Sequence, residues 1–167
     1  NLFRWKSSFN EDIGAWDTSG VTTMLTIFRG ASAFNQDIGG WAVHSVVDMS
    51  YMFYYASAFN GDIGDWAVHS VRTMHRMFTG ALAFNQDIGD WAVHSVTGET
   101  AMHYMFDGAS AFNQDLGWCV DDGVSLRLTF SSTTPCESTS CGVAWASAVR
   151  CGGGGGVVDD TNIRTAV

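Results

Sequence analysis

One motif recurs with a nearly constant period along the chain and constrains its fold more than any other feature. The string Phe-Asn-x-Asp-(Ile/Leu)-Gly starts at Phe9, Phe34, Phe59, Phe84 and Phe112. The starts are evenly spaced, except that the last interval is longer because three residues are inserted near 98–100. A fixed period of this kind indicates units that bury their apolar faces only by stacking on one another. The sequence therefore predicts a repeat solenoid.

Each unit contains two patterns of regular secondary structure. Apolar and polar residues alternate over residues 34–38, which predicts a short strand. Further along the unit, apolar residues lie three, three and one apart, at Val46, Met49, Met52 and Phe53, which predicts a two-turn amphipathic helix. The predicted fold class is an α/β solenoid, leucine-rich-repeat-like, with one short parallel strand and one short helix per 25-residue unit.

Stacking turns each position of the unit into a column of equivalent side chains. We expect two aromatic columns in the core: Trp16, Trp41, Trp66 and Trp91, and Phe28, Phe53, Phe78 and Phe106. Large buried side chains of this kind each contribute roughly 1.5–3 kcal/mol to stability.

The chain divides into three parts on composition. Residues 1–117 hold a remnant unit, four full repeats and the start of a fifth. Residues 118–151 contain all four cysteines and predict a C-terminal cap over the end of the stack, and the Gly-rich segment 152–167 predicts a flexible tail. Phe3 precedes Phe9 by the same interval as Phe28 precedes Phe34, so we expect the natural protein to continue upstream.

The cysteines favour a disulfide-bonded cap in an oxidising compartment. They are Cys119, Cys136, Cys141 and Cys151. Free thiols and a zinc site are the alternatives, and zinc is disfavoured because no C-x2-C pair occurs. Three pairings are open, of which we favour Cys119–Cys136 with Cys141–Cys151.

The repeat resembles the BspA-like, leucine-rich-repeat-related surface-protein repeat of bacterial and algal proteins. Residues 16–24, read as WDTSGVTTM, are similar to that family's W-D-T-S-N-V-T-x-M, and later copies replace DTSG by AVHS. The segment WCVDD and TPCESTSCGV resembles the Cys-bearing ends of algal members. The resemblance covers about residues 1–117. It implies a leucine-rich-repeat-like solenoid in a surface or secreted protein that acts in adhesion or assembly, and it supplies no catalytic residues.

A row of carboxylates is the most chemically specific feature of the repeats. It consists of Asp12, Asp37, Asp62, Asp87 and Asp115, each two positions after an asparagine. Calcium ions bound by these oxygens are one interpretation. We favour the other, in which each carboxylate accepts a hydrogen bond from the Gly that follows it, each Asn bridges to the next unit, and no metal is needed.

Histidines form a second polar row at His44, His69 and His94. Metal binding or a response to acid is one interpretation, but copying of near-identical units explains the row without a function. We expect His75 and His103 to face solvent. An active site is an asymmetric constellation, so a Ser–His pair repeated in three units predicts a scaffold, and we expect no catalytic residues and no cofactor.

A net charge of −9 argues against nucleic acid as a partner, and no apolar run is long enough for a transmembrane helix. We expect a non-enzymatic scaffold for protein–protein interaction, adhesion or assembly at a cell surface or in a lumenal compartment. The alternative is a permanent structural subunit of a larger filament or organellar membrane complex. A third interpretation is a glycan- or ice-binding solenoid, although only Thr22, Thr23 and Thr73 approach the flat threonine array that ice binding needs.

Overall fold

The computed structural model describes residues 1–148 and 151, and its regular secondary structure is sparse. It comprises 3₁₀ helices at Val93–Ser95 and Glu137–Gly142 and two strands, β1 at Cys119–Val120 and β2 at Ala144–Trp145. The strands are parallel, with Cys119 opposite Ala144 and Val120 opposite Trp145. Within these residues, no helix has the length and apolar character needed to cross a membrane. The predicted tail 152–167 lies outside the described residues.

The prediction of one helix per repeat is wrong. In residues 49–55, neighbouring N–H groups bond in different directions: Met52 donates to the carbonyl of Met49 (3.2 Å), whereas Phe53 donates to Met77 in the next repeat (2.9 Å). In an α-helix, each of these donors would bond to the carbonyl four residues earlier in the same segment. The segment is instead a run of turns, which we call the turn segment, and four of its seven backbone N–H groups donate to the following repeat.

Left-handed backbone at two positions of each turn segment excludes a helix. The first position is occupied by Thr26, Tyr51, Arg76 and Tyr104, and the second by Trp5, Gly30, Tyr55, Gly80 and Gly108, all with positive φ. Such angles are costly for residues other than Gly and do not occur inside a right-handed helix. The stacking bonds and the buried Met and Phe side chains stabilise this conformation against its local cost.

The predicted strand at residues 34–38 is also absent. The N–H of Asn35 bonds to the side-chain Oδ1 of Asn10 (2.8 Å), and the Gln36 Nε2 donates to the Asn10 carbonyl (2.9 Å). Hydrogen bonds that involve side-chain amides thus take the place of the backbone-to-backbone bonds that a parallel sheet would have here. Isolated parallel bridges at Thr23–Asp48 and Asp48–Thr73 are points where backbones of successive repeats pair directly.

Two columns of phenyl rings form the centre of the core. One column is Phe28, Phe53, Phe78 and Phe106, and the other is Phe34, Phe59, Phe84 and Phe112; all eight are fully buried. Ring centroids lie 3.9–4.2 Å apart between columns and 5.4–6.0 Å apart along them. Each ring therefore packs on its own repeat and on its neighbours, which couples the stability of adjacent repeats.

The tryptophan column is fixed by hydrogen bonds as well as by burial. The indole N–H groups of Trp41, Trp66, Trp91 and Trp118 donate to the carbonyls of Ile13, Ile38, Ile63 and Ile88 in the preceding repeat (3.0–3.1 Å). Trp118 was not expected in this column. Trp16 was expected in the core but is 47% exposed, because no preceding Trp or Ile covers it among the described repeats.

The three inserted residues leave the stacking intact. Met49 donates to the carbonyl of Thr73 in the next repeat, and the equivalent Met74 donates to Ala101, so the same bond is kept across the longer interval. The extra length is therefore absorbed before Ala101, in the exposed loop around Gly98, whose φ is +95°.

The C-terminal segment is closed by two disulfides, as the confinement of cysteine to this region predicts. The pairs are Cys119–Cys151, with Cα atoms 5.7 Å apart, and Cys136–Cys141, with Cα atoms 4.8 Å apart. The favoured pairing was wrong. The parallel pairing of β1 with β2 brings the chain beside Cys119 at Ala144, which follows Cys136 in the sequence, and Cys151 then comes within reach.

Candidate interaction surface

The repeats combine a uniform scaffold with a variable surface. Three units share FNxDIGxWAVHSV almost unchanged, and the differences lie in residues 47–55, 72–80 and 97–108, which contain the turn segments. Within those segments the Met and Phe that enter the core are retained, while the outward residues change. The turn segments are therefore the variable part of the repeat surface.

The outward residues of the turn segments form a continuous set of aromatic, Arg and His side chains, which we call the aromatic–cation strip. Its members are Trp5, Arg29, Tyr51, Tyr54, Tyr55, His75, Arg76, His103 and Tyr104. This surface was not predicted from the sequence. The signal that could have found it is the enrichment of Tyr, Arg and His at the positions where the repeats differ.

Arg29 is held among three aromatic rings. Its Cζ lies 5.4, 5.0 and 4.7 Å from the ring centroids of Trp5, Tyr51 and Tyr54. The rings bury the Nε, which has no hydrogen-bond partner within the described residues. Cation–π attraction compensates for part of that desolvation, so the guanidinium is positioned without a carboxylate.

Arg76 has a similar environment further along the strip. Its Cζ lies 4.2 Å from the ring centroid of Tyr104. The ring of His75 meets Tyr51 edge-on at 5.2 Å and Tyr104 at 6.5 Å, which links the two arginine clusters.

The strip histidines are half-buried, which corrects the expectation that they face solvent. Burial lowers the pKa of His75, opposed by a hydrogen bond with the Thr100 carbonyl, and the charges of Arg76 and His103 lower that pKa further. The Nε2 of His103 is buried and has no hydrogen-bond partner among the described residues. His75 is therefore neutral near pH 7, and acid adds positive charge to the strip.

Glycines give the strip its shape. The second left-handed position alternates between aromatic and Gly from Trp5 to Gly80, and each ring lies against the Gly of the next repeat. A Cβ at Gly30 would overlap the Trp5 ring, and one at Gly80 would lie 2.7 Å from the Tyr55 ring. Trp5 and Tyr55 nevertheless remain about half exposed, at 55% and 51%.

The aspartate row is hydrogen-bonded within its own turns. The Oδ1 atoms of Asp12, Asp37, Asp62 and Asp87 accept from the N–H of Gly14, Gly39, Gly64 and Gly89 (2.9–3.0 Å). Asp115 departs from this pattern, because its Oδ1 lies against Gly142, where a Cβ would overlap it. All five carboxylates are exposed.

A ladder of asparagines runs beside the carboxylates. The Oδ1 of each Asn accepts the backbone N–H of the Asn in the next repeat (2.8–2.9 Å), from Asn10 through Asn35, Asn60 and Asn85 to Asn113. The Asp and Asn side chains thus have the structural partners that the metal-free interpretation requires. The described residues contain no group of three or more His, Cys, Asp or Glu arranged to hold a metal ion.

The second histidine row lies on the uniform part of the scaffold. His44, His69 and His94 are all exposed. They belong to the shared AVHS string and lie outside the aromatic–cation strip, so they serve as controls for it.

The repeats match a known family model. The model is described as "Mycoplasma protein of unknown function, DUF285" and matches residues 1–82 and 62–140. Neither curated proteins nor solved structures give a significant match to the chain. Since the two family matches together reach from residue 1 to residue 140 and include every repeat, the chain belongs to the DUF285 family.

Proposed function

We propose that this protein is a non-enzymatic interaction module that binds a protein partner through the aromatic–cation strip. The observation that carries the proposal is the concentration of Trp, Tyr and Arg at the positions where the repeats differ. These residue types dominate the energetic centres of protein interfaces. The uniform Phe, Trp and Asn columns act as a rigid support.

The local geometry of the strip favours binding with little loss of conformational entropy. The rings of Trp5 and Tyr55 are braced against glycines, and Arg29 is already fixed between rings. Side chains that are ordered before binding lose little entropy when a partner arrives, so more of the contact energy remains as affinity.

We place the module at a cell surface or in a lumenal compartment. The two disulfides near the C-terminal end of the repeats favour an oxidising environment. The resemblance of residues 16–24 to BspA-like surface-protein repeats supports the same location. Adhesion and assembly are both compatible with a partner that is itself a protein.

Comparative capture tests this function. The full chain would be immobilised beside a strip variant carrying Arg29→Ala, Tyr54→Ala and Tyr55→Ala, and beside a control carrying His44→Ala, His69→Ala and His94→Ala. Each would be incubated with a surface and secreted protein fraction of the source cells, and bound proteins would be quantified by mass spectrometry. We expect proteins that bind the wild type and the His control but not the strip variant. Identical capture by all three would contradict the proposal.

A further inference from the structure

We propose that the aromatic–cation strip binds an acidic peptide segment of its protein partner, in which Asp or Glu carboxylates dock on Arg29 and Arg76. The inference rests on the proposed function and specifies the chemistry of the partner. Three observations carry it: the separation of charge within the repeat, the absence of a carboxylate beside either arginine, and exposed rings next to them.

Charge is divided between the shared motif and the turn segments. Nine Asp or Glu and no Lys, Arg or His occur in the motif copies at 9–17, 34–41, 59–66, 84–91 and 112–118. The turn segments at 24–30, 49–55, 74–80 and 102–108 contain Arg29 and Arg76 and a single carboxylate, Asp107. The strip is therefore a locally cationic region of an acidic chain, and such a region steers an anionic part of a partner toward itself.

The strip arginines have donors that the described residues leave unused. Neither Arg29 nor Arg76 has a described carboxylate as an ion-pair partner, and each guanidinium lies over aromatic rings instead. The rings bury Nε of Arg29, so its Nη atoms are left for a partner. Because a ring occupies one face of each guanidinium, the donors at its edge can bind a carboxylate through two parallel hydrogen bonds.

Exposed rings lie beside these donors. Trp5, one of the three rings around Arg29, is 55% exposed. Tyr55 meets Tyr54 edge-on at 4.6 Å and is 51% exposed. These rings can bury apolar side chains of a partner while its carboxylates bind the arginines. The matching ligand is a peptide segment in which Asp or Glu alternates with apolar residues.

The positions of the two arginines favour a peptide over a regular polyanion. Arg29 takes the repeat position of Tyr54, whereas Arg76 takes that of Tyr51, so the two cations do not follow the period of the stack. A nucleic acid or sulfated glycan carries its charges at regular intervals and extends beyond a short contact. Such a polyanion would also meet the carboxylates of the motif copies, whereas a short peptide segment can place its charges on the strip alone.

Peptide selection on the full chain tests this chemistry. Short random peptides would be selected on wild type, and the affinity of each selected peptide would be measured for the arginine variant, Arg29→Gln/Arg76→Gln. The matched control is Arg72→Gln/Arg127→Gln, which removes the same charge from two exposed arginines outside the strip. We expect selected peptides rich in Asp and Glu whose affinity falls about tenfold or more in the arginine variant and is kept in the control. Added salt should weaken their binding.

Folding of both variants would be checked by thermal unfolding. If the arginine variant does not fold, the same contact is tested on wild type with peptides in which Asn and Gln replace Asp and Glu, and these peptides should bind about tenfold or more weakly. Equal losses in the arginine variant and the control would overturn the proposal, as would strip-dependent peptides without acidic residues. Dextran sulfate that binds through the strip when no selected peptide does so would also overturn it.

The capture experiment separates this inference from the proposed function. If no selected peptide depends on the two arginines but the strip variant still loses captured proteins, the acidic-peptide assignment fails and the proposed function stands. If capture is also unchanged in the strip variant, both fail.

Discussion

Asp62 shows how a single exposed carboxylate contributes to this structure. Its Oδ1 accepts the Gly64 N–H (3.0 Å), and equivalent carboxylates lie one repeat away on either side. Asp62→Asn keeps an acceptor and removes a charge between like charges. We therefore expect its melting temperature to equal or exceed that of wild type, and we expect wild-type stability to rise with salt, which screens the repulsion.

Two further measurements distinguish this structural role from a calcium site. Asp62→Ala removes the acceptor and should cost on the order of 1 kcal/mol in the free energy of unfolding. EGTA should leave the melting temperature of wild type unchanged. A large loss of stability in Asp62→Asn, together with a lower melting temperature in EGTA, would show that the carboxylates bind calcium.

His75 gives the strip a defined dependence on pH. Burial, with smaller contributions from Arg76 and His103, holds its pKa below the ordinary value of 6.5. Below pH 6.5 the unfolded chain therefore binds more protons at this position than the folded chain, and the stability contributed by neutral His75 falls as the pH decreases through that value.

The corresponding test compares unfolding across pH. Wild type should lose stability between about pH 7 and pH 5, and His75→Gln, which retains a donor for the Thr100 carbonyl, should lose less. The measured quantity is the difference between the two free energies of unfolding at each pH. A difference that stays constant over this range would contradict the assignment to His75.

At the scale of the repeat, the indole hydrogen bonds connect the tryptophan column to the preceding backbone. Trp66→Phe keeps an aromatic ring but removes one of the two donors to the buried Ile38 carbonyl, which still accepts the Trp41 N–H. We expect the lost hydrogen bond to lower the free energy of unfolding by about 0.5–1.5 kcal/mol. Trp16→Phe is the matched control, because Trp16 is exposed and its indole makes no such bond within the described residues; denaturant unfolding should show a much smaller loss there.

The glycines of the turn segment provide a second test at this scale. Gly80 and Gly108 both have positive φ, +68° and +71°, so replacement by Ala strains both. Only at Gly80 would the new Cβ also displace a ring, that of Tyr55 at 2.7 Å. Gly80→Ala should therefore unfold at a lower temperature than Gly108→Ala, and equal effects would show that the Tyr55 ring does not lie on Gly80.

The turn segment also shows why the spacing of apolar residues predicted which side chains are buried but did not predict the backbone conformation. Met49, Met52 and Phe53 are fully buried, as their spacing implies. The spacing reports only which side chains share a face, and turns with left-handed residues at Tyr51 and Tyr55 produce the same face as a helix. The bonds that select the turns run to residues of the next repeat, so a local pattern cannot reveal them.

At the scale of the whole molecule, the two disulfides should differ in how much they contribute to stability. Cys119–Cys151 links residues 32 apart, and Cys136–Cys141 links residues five apart. On the chain-entropy account, their removal costs roughly 3–4 and 2 kcal/mol respectively. The double variant Cys119→Ser/Cys151→Ser should therefore melt at a lower temperature than Cys136→Ser/Cys141→Ser. Peptide mapping without reduction should recover the two disulfide pairs. A peptide that links Cys119 to Cys136 would refute the pairing.

The aromatic–cation strip was not predictable from one repeat read alone. Arg29, Tyr54 and Trp5 come from three different repeats, and they meet because the repeats stack and because Gly30 leaves room for the Trp5 ring. The residues that all repeats share predict the scaffold, and the residues that differ between repeats form the strip. The Asp–Gly and Asn–Asn bonds, by contrast, follow from residues within one motif and its copies, which is why the sequence was sufficient to anticipate them.

Site-specific photo-crosslinking tests whether partners bind the aromatic–cation strip. A photoreactive phenylalanine analogue would replace Tyr55 in one sample and the exposed His69 of the scaffold in another. After irradiation with the captured partner, we expect a crosslinked product from position 55 and none from position 69. Crosslinking from position 69 with none from position 55 would show that binding occurs on the uniform scaffold and would contradict the proposed role of the strip.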